Sequence, residues 1–153
     1  MRFKIFVDGE SGTTGLKVAE RLRVHPHVSI LRIDAAHRKD NSARAEMMAA
    51  SDLTILCLPD AAAIDAVKLA AASKTRLIDA SSAHRTDPKW VYGFAELQPD
   101  QRDTIAAATL ISNPGCYPTG FLALARPLIA NGLLPEQSLL SISAVSGYSG
   151  GGK

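Results

Sequence analysis

The chain has 153 residues, 46% of them hydrophobic, and 17 basic against 15 acidic side chains give a formal charge of +2. That length buries one core, or one and a fraction, and the dispersed charge argues against a nucleic-acid partner. No apolar run approaches the roughly 20 residues of a membrane span, and the start Met1-Arg2-Phe3-Lys4 leads into a strand instead of a signal peptide, so no membrane partner and a cytoplasmic location are expected.

Residues 2–7 alternate as a strand does, and Asp8-Gly9-Glu10-Ser11-Gly12-Thr13-Thr14-Gly15 follows at once. Leu16, Val18, Ala19 and Leu22 then have helical spacing, and His25-Pro26 ends the run. A strand, a glycine turn and a helix start form a phosphate cradle: residues without side chains allow close approach, and the helix N–H groups face the anion. Gly9, Ser11, Gly12, Thr13, Thr14 and Gly15 are therefore the candidate cofactor-binding turn. The spacing is G-x-x-G-x-x-G and no Lys-Ser/Thr opens the helix, which disfavours a P-loop hydrolase.

A second strand over 28–33 ends at Asp34, near where an adenosine ribose would lie. Asp34 would suit a free 2′-hydroxyl, while Arg38 and Lys39 would suit a 2′-phosphate; both readings stay open, with the balance toward NADP. Asn41 or Ser42 caps a helix through Ala50, and residues 52–58 read as an apolar strand of the buried parallel type, with Cys57 as core packing. Asp60 caps an Ala-rich helix over 61–72, and 75–80 form a fourth strand. This alternation predicts an α/β fold, a doubly wound, Rossmann-like parallel sheet.

The loop Ser81-Ser82-Ala83-His84-Arg85-Thr86-Asp87 then falls at the carboxyl end of a strand, where open α/β sheets bind ligands. Arg85 is a candidate for holding a carboxylate or phosphate through two hydrogen bonds. Residues 90–97 read as an irregular apolar segment, 100–107 as a short helix and 108–112 as a fifth strand. Next comes Ser112-Asn113-Pro114-Gly115-Cys116-Tyr117-Pro118-Thr119-Gly120, then apolar residues at helical spacing from Phe121 to Ile129. Cys116 thus sits on a strand-to-helix turn with Pro118 at a first helical position, where unpaired N–H groups favour a thiolate; it is the candidate nucleophile. Residues 138–146 read as one more strand before the glycine run 147–153. Cys57 and Cys116 lie in contexts too different for a disulfide, and no metal-ligand cluster stands out.

A dinucleotide turn and an activated thiol on one sheet point to thiolate attack on an acyl group coupled to hydride transfer. Short-chain dehydrogenase chemistry needs Tyr-x-x-x-Lys, which none of Tyr92, Tyr117 and Tyr148 supplies. The alternatives are a non-catalytic NAD(P)-binding module with a redox-sensitive cysteine, or an enzyme like the aspartate-semialdehyde dehydrogenases.

Five stretches resemble the N-acetyl-γ-glutamyl-phosphate reductases, and more narrowly their shorter, second type. They are the glycine turn from Val7, Asp79-Ala80-Ser81-Ser82-Ala83-His84-Arg85, Tyr92-Gly93-Phe94-Ala95-Glu96-Leu97, the Cys116 motif, and Ser146-Gly147-Tyr148-Ser149-Gly150-Gly151-Gly152-Lys153. The resemblance implies an NADPH-dependent, aldehyde-forming reductase of arginine biosynthesis. Its nucleophile would be Cys116, and Arg85, Asn113, Ser146 and Gly147 would lie at a small acyl phosphate substrate. It further implies a homo-oligomer and a chain about twice this long, whose second, α+β domain carries an acid/base histidine. The histidines here are His25, His27, His37 and His84, and none follows Cys116. The expected division is therefore a dinucleotide-binding domain over 1–116 and the beginning of a catalytic domain over 117–153, with little or no turnover by this chain alone.

Overall fold

The computed structural model describes residues 2–147. The elements follow as β1 (Phe3–Asp8), α1 (Thr13–Arg23), β2 (Val28–Leu31), a 3-10 turn (Ala35–His37), α2 (Asn41–Ala49), β3 (Leu53–Leu56), α3 (Asp60–Ala70), β4 (Arg76–Asp79), β5 (Val91–Tyr92), α4 (Gln101–Ala107), β6 (Leu110–Ser112) and α5 (Cys116–Ala130). The strands pair in the order β2-β1-β3-β4-β6-β5, parallel throughout. Because the order reverses direction between β1 and β3, a crevice opens there at the carboxyl ends of the strands.

Alternation along each strand decides what is buried. Phe6 pairs with Thr54, Thr54 with Leu77, and Leu56 with Asp79, so these side chains share one face. That face is closed by Met48 of α2 and by Ala66 and Ala70 of α3, which join Phe6, Leu56, Leu77 and Trp90 in one buried cluster. The opposite face is shut over β1, where Ile5 and Val7 are buried and α1 packs, but Ile55 and Ile78 are only half-buried. The expectation of a strand at 52–58 covered on both sides is thus met on one face only.

Asp8, the last residue of β1, carries its carboxylate into the closed face. Arg44 of α2 meets it there, with Nη2 donating to Oδ2 at 2.7 Å and Nε at 3.2 Å, while Nη1 donates to Asn41. Both side chains are largely removed from water, so removing one partner leaves a buried charge uncompensated. Arg44→Ala is expected to cost about 3 kcal/mol of stability, measured by urea unfolding; a loss under about 1 kcal/mol would show that solvent already screens the pair.

Several local expectations are corrected. The cap of α2 is Asp40, whose carboxylate accepts from the N–H groups of Ser42 and Ala43, and not Asn41 or Ser42. Asp60 is the first residue of α3 behind the cap position of Pro59, and its carboxylate reaches across to Ser82. Within the apolar segment at 90–97, Val91 and Tyr92 form a short edge strand on β6. Pro118 is the third residue of α5, still within the first turn where N–H groups have no helical acceptor. The strand expected over 138–146 does not form among the described residues: Leu139 and Val145 are fully exposed and no strand pairs there. A strand exists only as half of a ladder, and its own sequence cannot supply the other half. The glycine run from Tyr148 to Lys153 lies outside the described residues.

Candidate active site

The turn after β1 uses its glycines for three different reasons. Gly9 has φ +87°, and a Cβ there would strike the carbonyl oxygen of Cys57 on the neighbouring strand loop. Gly15, in the first turn of α1, would drive a Cβ into the Gly9 carbonyl. Gly12 has ordinary backbone angles, φ −78° and ψ 164°, and a Cβ there would meet only the Gly9 oxygen at 3.5 Å, ordinary contact. Folding therefore demands glycine at 9 and 15 but not at 12, and bare space beside Gly12 suits the approach of a ligand to the start of α1.

The start of α1 is also kept free of competing anions. Asp40 caps α2, Asp60 lies in the first turn of α3 and Asp103 in that of α4, whereas α1 and α5 open with neither an acidic residue in the first turn nor a side-chain cap. Helix N-termini without an internal carboxylate attract an external one, or a phosphate. Arg38 stands exposed just past the 3-10 turn that follows β2, its Nε donating to the Ala35 carbonyl. Asp34 spends Oδ1 on the Ala36 N–H. This places Arg38 at the same end of the sheet as the glycine turn, one strand away.

Cys116 is the first residue of α5 and its thiol is exposed. β6 lies three positions from β1, roughly 14 Å at the usual strand spacing. The thiol and the glycine turn thus share the carboxyl end of one sheet. Cys116 lines a cavity of about 690 Å³ with Phe121, Leu124, Leu128, Ser146 and Gly147, which brings three of the expected site residues together. Arg85 and Asn113 are not among those lining it. Instead they brace the turn behind the thiol: Arg85 Nε donates to the Asn113 carbonyl at 3.1 Å and Nη2 to that of Ala80 at 3.3 Å. Gly115 leaves room for this guanidinium, since a Cβ there would lie 2.7 Å from Nη1.

The two thiols differ in exposure: Cys116 is exposed and Cys57 half-buried. Burial, with the Asp8 and Asp79 carboxylates on the flanking strands, pushes the Cys57 thiol up to about 11. Iodoacetamide near neutral pH is accordingly expected to modify Cys116 and leave Cys57 intact in the folded chain, by peptide mass mapping. Comparable labelling of both would refute this difference.

Polar contacts that the sequence did not announce hold the site. Asp79, fully buried at the end of β4, accepts from the Ser81 N–H, Ser81 Oγ and His84 Nδ1. Ser82 donates twice to Asp60, and these bonds, the hydroxyl's first, hold the Asp60 carboxyl below the usual carboxylate range. An aspartate closing an apolar strand, as at Asp79, was the available signal. Nothing local marked Arg44, 36 residues from Asp8.

Fold and site together define a class: a Rossmann-like dinucleotide domain with an exposed cysteine at the ligand end of its sheet. A family model described as "Semialdehyde dehydrogenase, NAD binding domain" matches residues 4–105, and one described as "Semialdehyde dehydrogenase, dimerisation domain" matches 116–153. The chain belongs to the semialdehyde dehydrogenase family. It is 55% identical over 150 residues to N-acetyl-gamma-glutamyl-phosphate reductase of Trichormus variabilis, covering 98% of this chain and 47% of the relative. With the reductase of the same name from Brucella ovis it shares 52% identity over 154 residues, 100% of this chain and 50% of the relative. The chain thus spans about half the length of the curated relatives it matches. Among solved structures, it is similar to aspartate semialdehyde dehydrogenase with NADP from Candida albicans (TM-score 0.64, 14% identity, covering 86% of this chain and 48% of that one). A second is aspartate semialdehyde dehydrogenase II of Vibrio cholerae (TM-score 0.61, 16% identity, covering 85% and 47%). At such identities the likeness concerns the fold alone. No helix of the described residues is long and apolar enough to cross a membrane.

Proposed function

We propose that this chain is the cofactor-binding half, residues 1–116, and the start of the catalytic half, residues 117–153, of an NADPH-dependent reductase of N-acetyl-γ-glutamyl phosphate. The observation that carries the reading is the exposed Cys116 thiol at the start of a 15-residue helix, on the same sheet end as a glycine turn whose middle glycine the fold does not need. The names of relatives sharing more than half its residues supply the substrate.

In this reading Cys116 attacks the acyl carbon, the C–O bond to phosphate breaks, and inorganic phosphate leaves a thioester on the sulfur. The open start of α5 stabilises the oxyanion that develops on the acyl oxygen. NADPH, when bound, would supply the hydride that reduces the thioester carbon. The alkoxide so formed re-forms its C=O as the C–S bond breaks, which releases the semialdehyde and returns Cys116 as the thiolate. Gly9, Ser11, Gly12, Thr13, Thr14 and Gly15 would hold the pyrophosphate and Arg38 the 2′-phosphate; Ser146 and Gly147, which line the cavity with Cys116, flank the acyl phosphate, while Arg85 and Asn113 shape the turn behind the thiol. Homo-oligomerisation through the second half is supported by the match of 116–153 and by the uncovered Leu124, Leu133 and Ile142.

The test is alkylation of Cys116 by iodoacetamide at about pH 6, with and without N-acetyl-γ-glutamyl phosphate. Rapid labelling that the substrate blocks is expected; labelling as slow as that of free cysteine overturns the nucleophile reading. A coupled assay of the 153-residue chain should show NADPH bound but not consumed, because no histidine lies beyond Cys116 to serve as acid/base.

A further inference from the structure

Cys116 is aimed by a turn that touches the loop after β4, and that loop has an unusual support. Asp79, the last residue of β4, is fully buried and would be costly there without donors. It receives three: the Ser81 N–H at 2.9 Å, Ser81 Oγ at 2.7 Å and His84 Nδ1 at 2.6 Å. The imidazole is itself buried and lies flat on Trp90, with ring centroids 4.3 Å apart and planes 17° from parallel. The next residue is Arg85, whose guanidinium ties the Ala80 carbonyl to the Asn113 carbonyl and fills the space beside Gly115. The Asn113 N–H in turn donates to the main-chain oxygen of Asp79 at 2.7 Å. A closed circuit results: Asp79 to His84, His84 to Arg85 along the chain, Arg85 to Asn113, and Asn113 back to Asp79. Cys116 follows three residues after Asn113, directly behind Gly115.

We propose that His84 is a positioning residue: pinned between the Asp79 carboxylate and Trp90, it fixes the loop from which Arg85 sets the Asn113–Gly115 turn and hence the direction of the Cys116 thiol. The inference deepens the reading of Cys116 as nucleophile and rests on it for its functional meaning. A histidine serves better here than an apolar ring or a small donor because it does two jobs at once. Its Nδ1–H answers a buried charge, and its face answers an indole.

Two substitutions separate those jobs. His84→Phe keeps a ring against Trp90 and removes the donor; His84→Asn keeps a donor near the Nδ1 position and removes the outer ring. In the 153-residue chain, His84→Phe is expected to speed hydrogen exchange of the Asn113 amide about tenfold and to slow Cys116 alkylation by a similar factor. His84→Asn should stay within about threefold of the parent on both readouts. Arg85→Ala, at a half-buried position that does not threaten the core, should reproduce the His84→Phe effects, and the double variant should add nothing to either. Unchanged Asn113 exchange in His84→Phe overturns the proposal, as does full additivity with Arg85→Ala. If His84→Phe does not fold, unchanged Asn113 exchange in Arg85→Ala overturns it instead. Parent Cys116 reacting no faster than free cysteine, with Asn113 exchange still raised in His84→Phe, would sink the nucleophile reading and leave the circuit standing.

Discussion

In a reductase carrying both halves, as proposed above, Cys116→Ser is expected to lower kcat for acyl-phosphate reduction by about 10⁴-fold or more while leaving NADPH affinity within about twofold. The exposed thiol opens α5, a helix with no acidic residue in its first turn and no side-chain cap, so an acyl group can reach the sulfur without meeting a competing carboxylate. A serine hydroxyl is intrinsically a far weaker nucleophile than a thiol, and no histidine of the described residues is placed by a hydrogen bond to accept its proton. His84, the buried one, is committed through Nδ1 to Asp79. The glycine turn lies on another strand, three positions away, so cofactor affinity should not follow the loss. Steady-state kinetics with a separate binding titration decide the matter. A serine variant retaining a tenth of the activity would mean that the thiol carries no covalent step.

The second large effect divides the glycine turn. Gly9→Ala must hold an alanine at φ +87° and press its Cβ onto the Cys57 carbonyl, costing roughly 1–3 kcal/mol for each of the two, about 4 kcal/mol in all. That is a large fraction of the roughly 5–15 kcal/mol that holds a domain folded. Gly12→Ala meets neither obstacle and is expected to unfold within about 0.5 kcal/mol of the parent. Its methyl group would nonetheless fill the space proposed for the pyrophosphate at the start of α1, and on that reading NADPH affinity should fall about tenfold or more. Urea unfolding and a fluorescence titration on both variants separate the outcomes. If Gly12→Ala binds as tightly as the parent, the cofactor does not use the space that this glycine leaves.

Much of the framework was legible in the chain because the information was local. The β-α-β-α-β-α-β alternation, the glycine turn and the helix behind Cys116 follow from side-chain period and turn residues, each read within a window of about a dozen positions. Wherever a feature needed a distant partner, local reading failed. Residues 138–146 have strand composition but no ladder to join among the described residues, while Val91 and Tyr92 became a strand because β6 was there to receive them. Asp60 has the residue type and position of a cap, yet it is the first residue of α3 and its carboxylate takes two donors from Ser82 in another loop.

For the site the division is the same. By itself the sequence determined the chemistry on offer: one thiol at a strand-to-helix turn, one glycine cradle after the first strand, and an arginine in the loop after the fourth. Only the tertiary structure decided their use. It set thiol and cradle at one end of a parallel sheet, turned Arg85 toward the carbonyls of Ala80 and Asn113, and buried Asp8 and Asp79 against Arg44 and His84. The physical reason is range. Backbone conformation is fixed largely by neighbours along the chain, whereas desolvation and hydrogen-bond pairing of a buried charge are fixed by whatever the fold brings within about 3 Å of it.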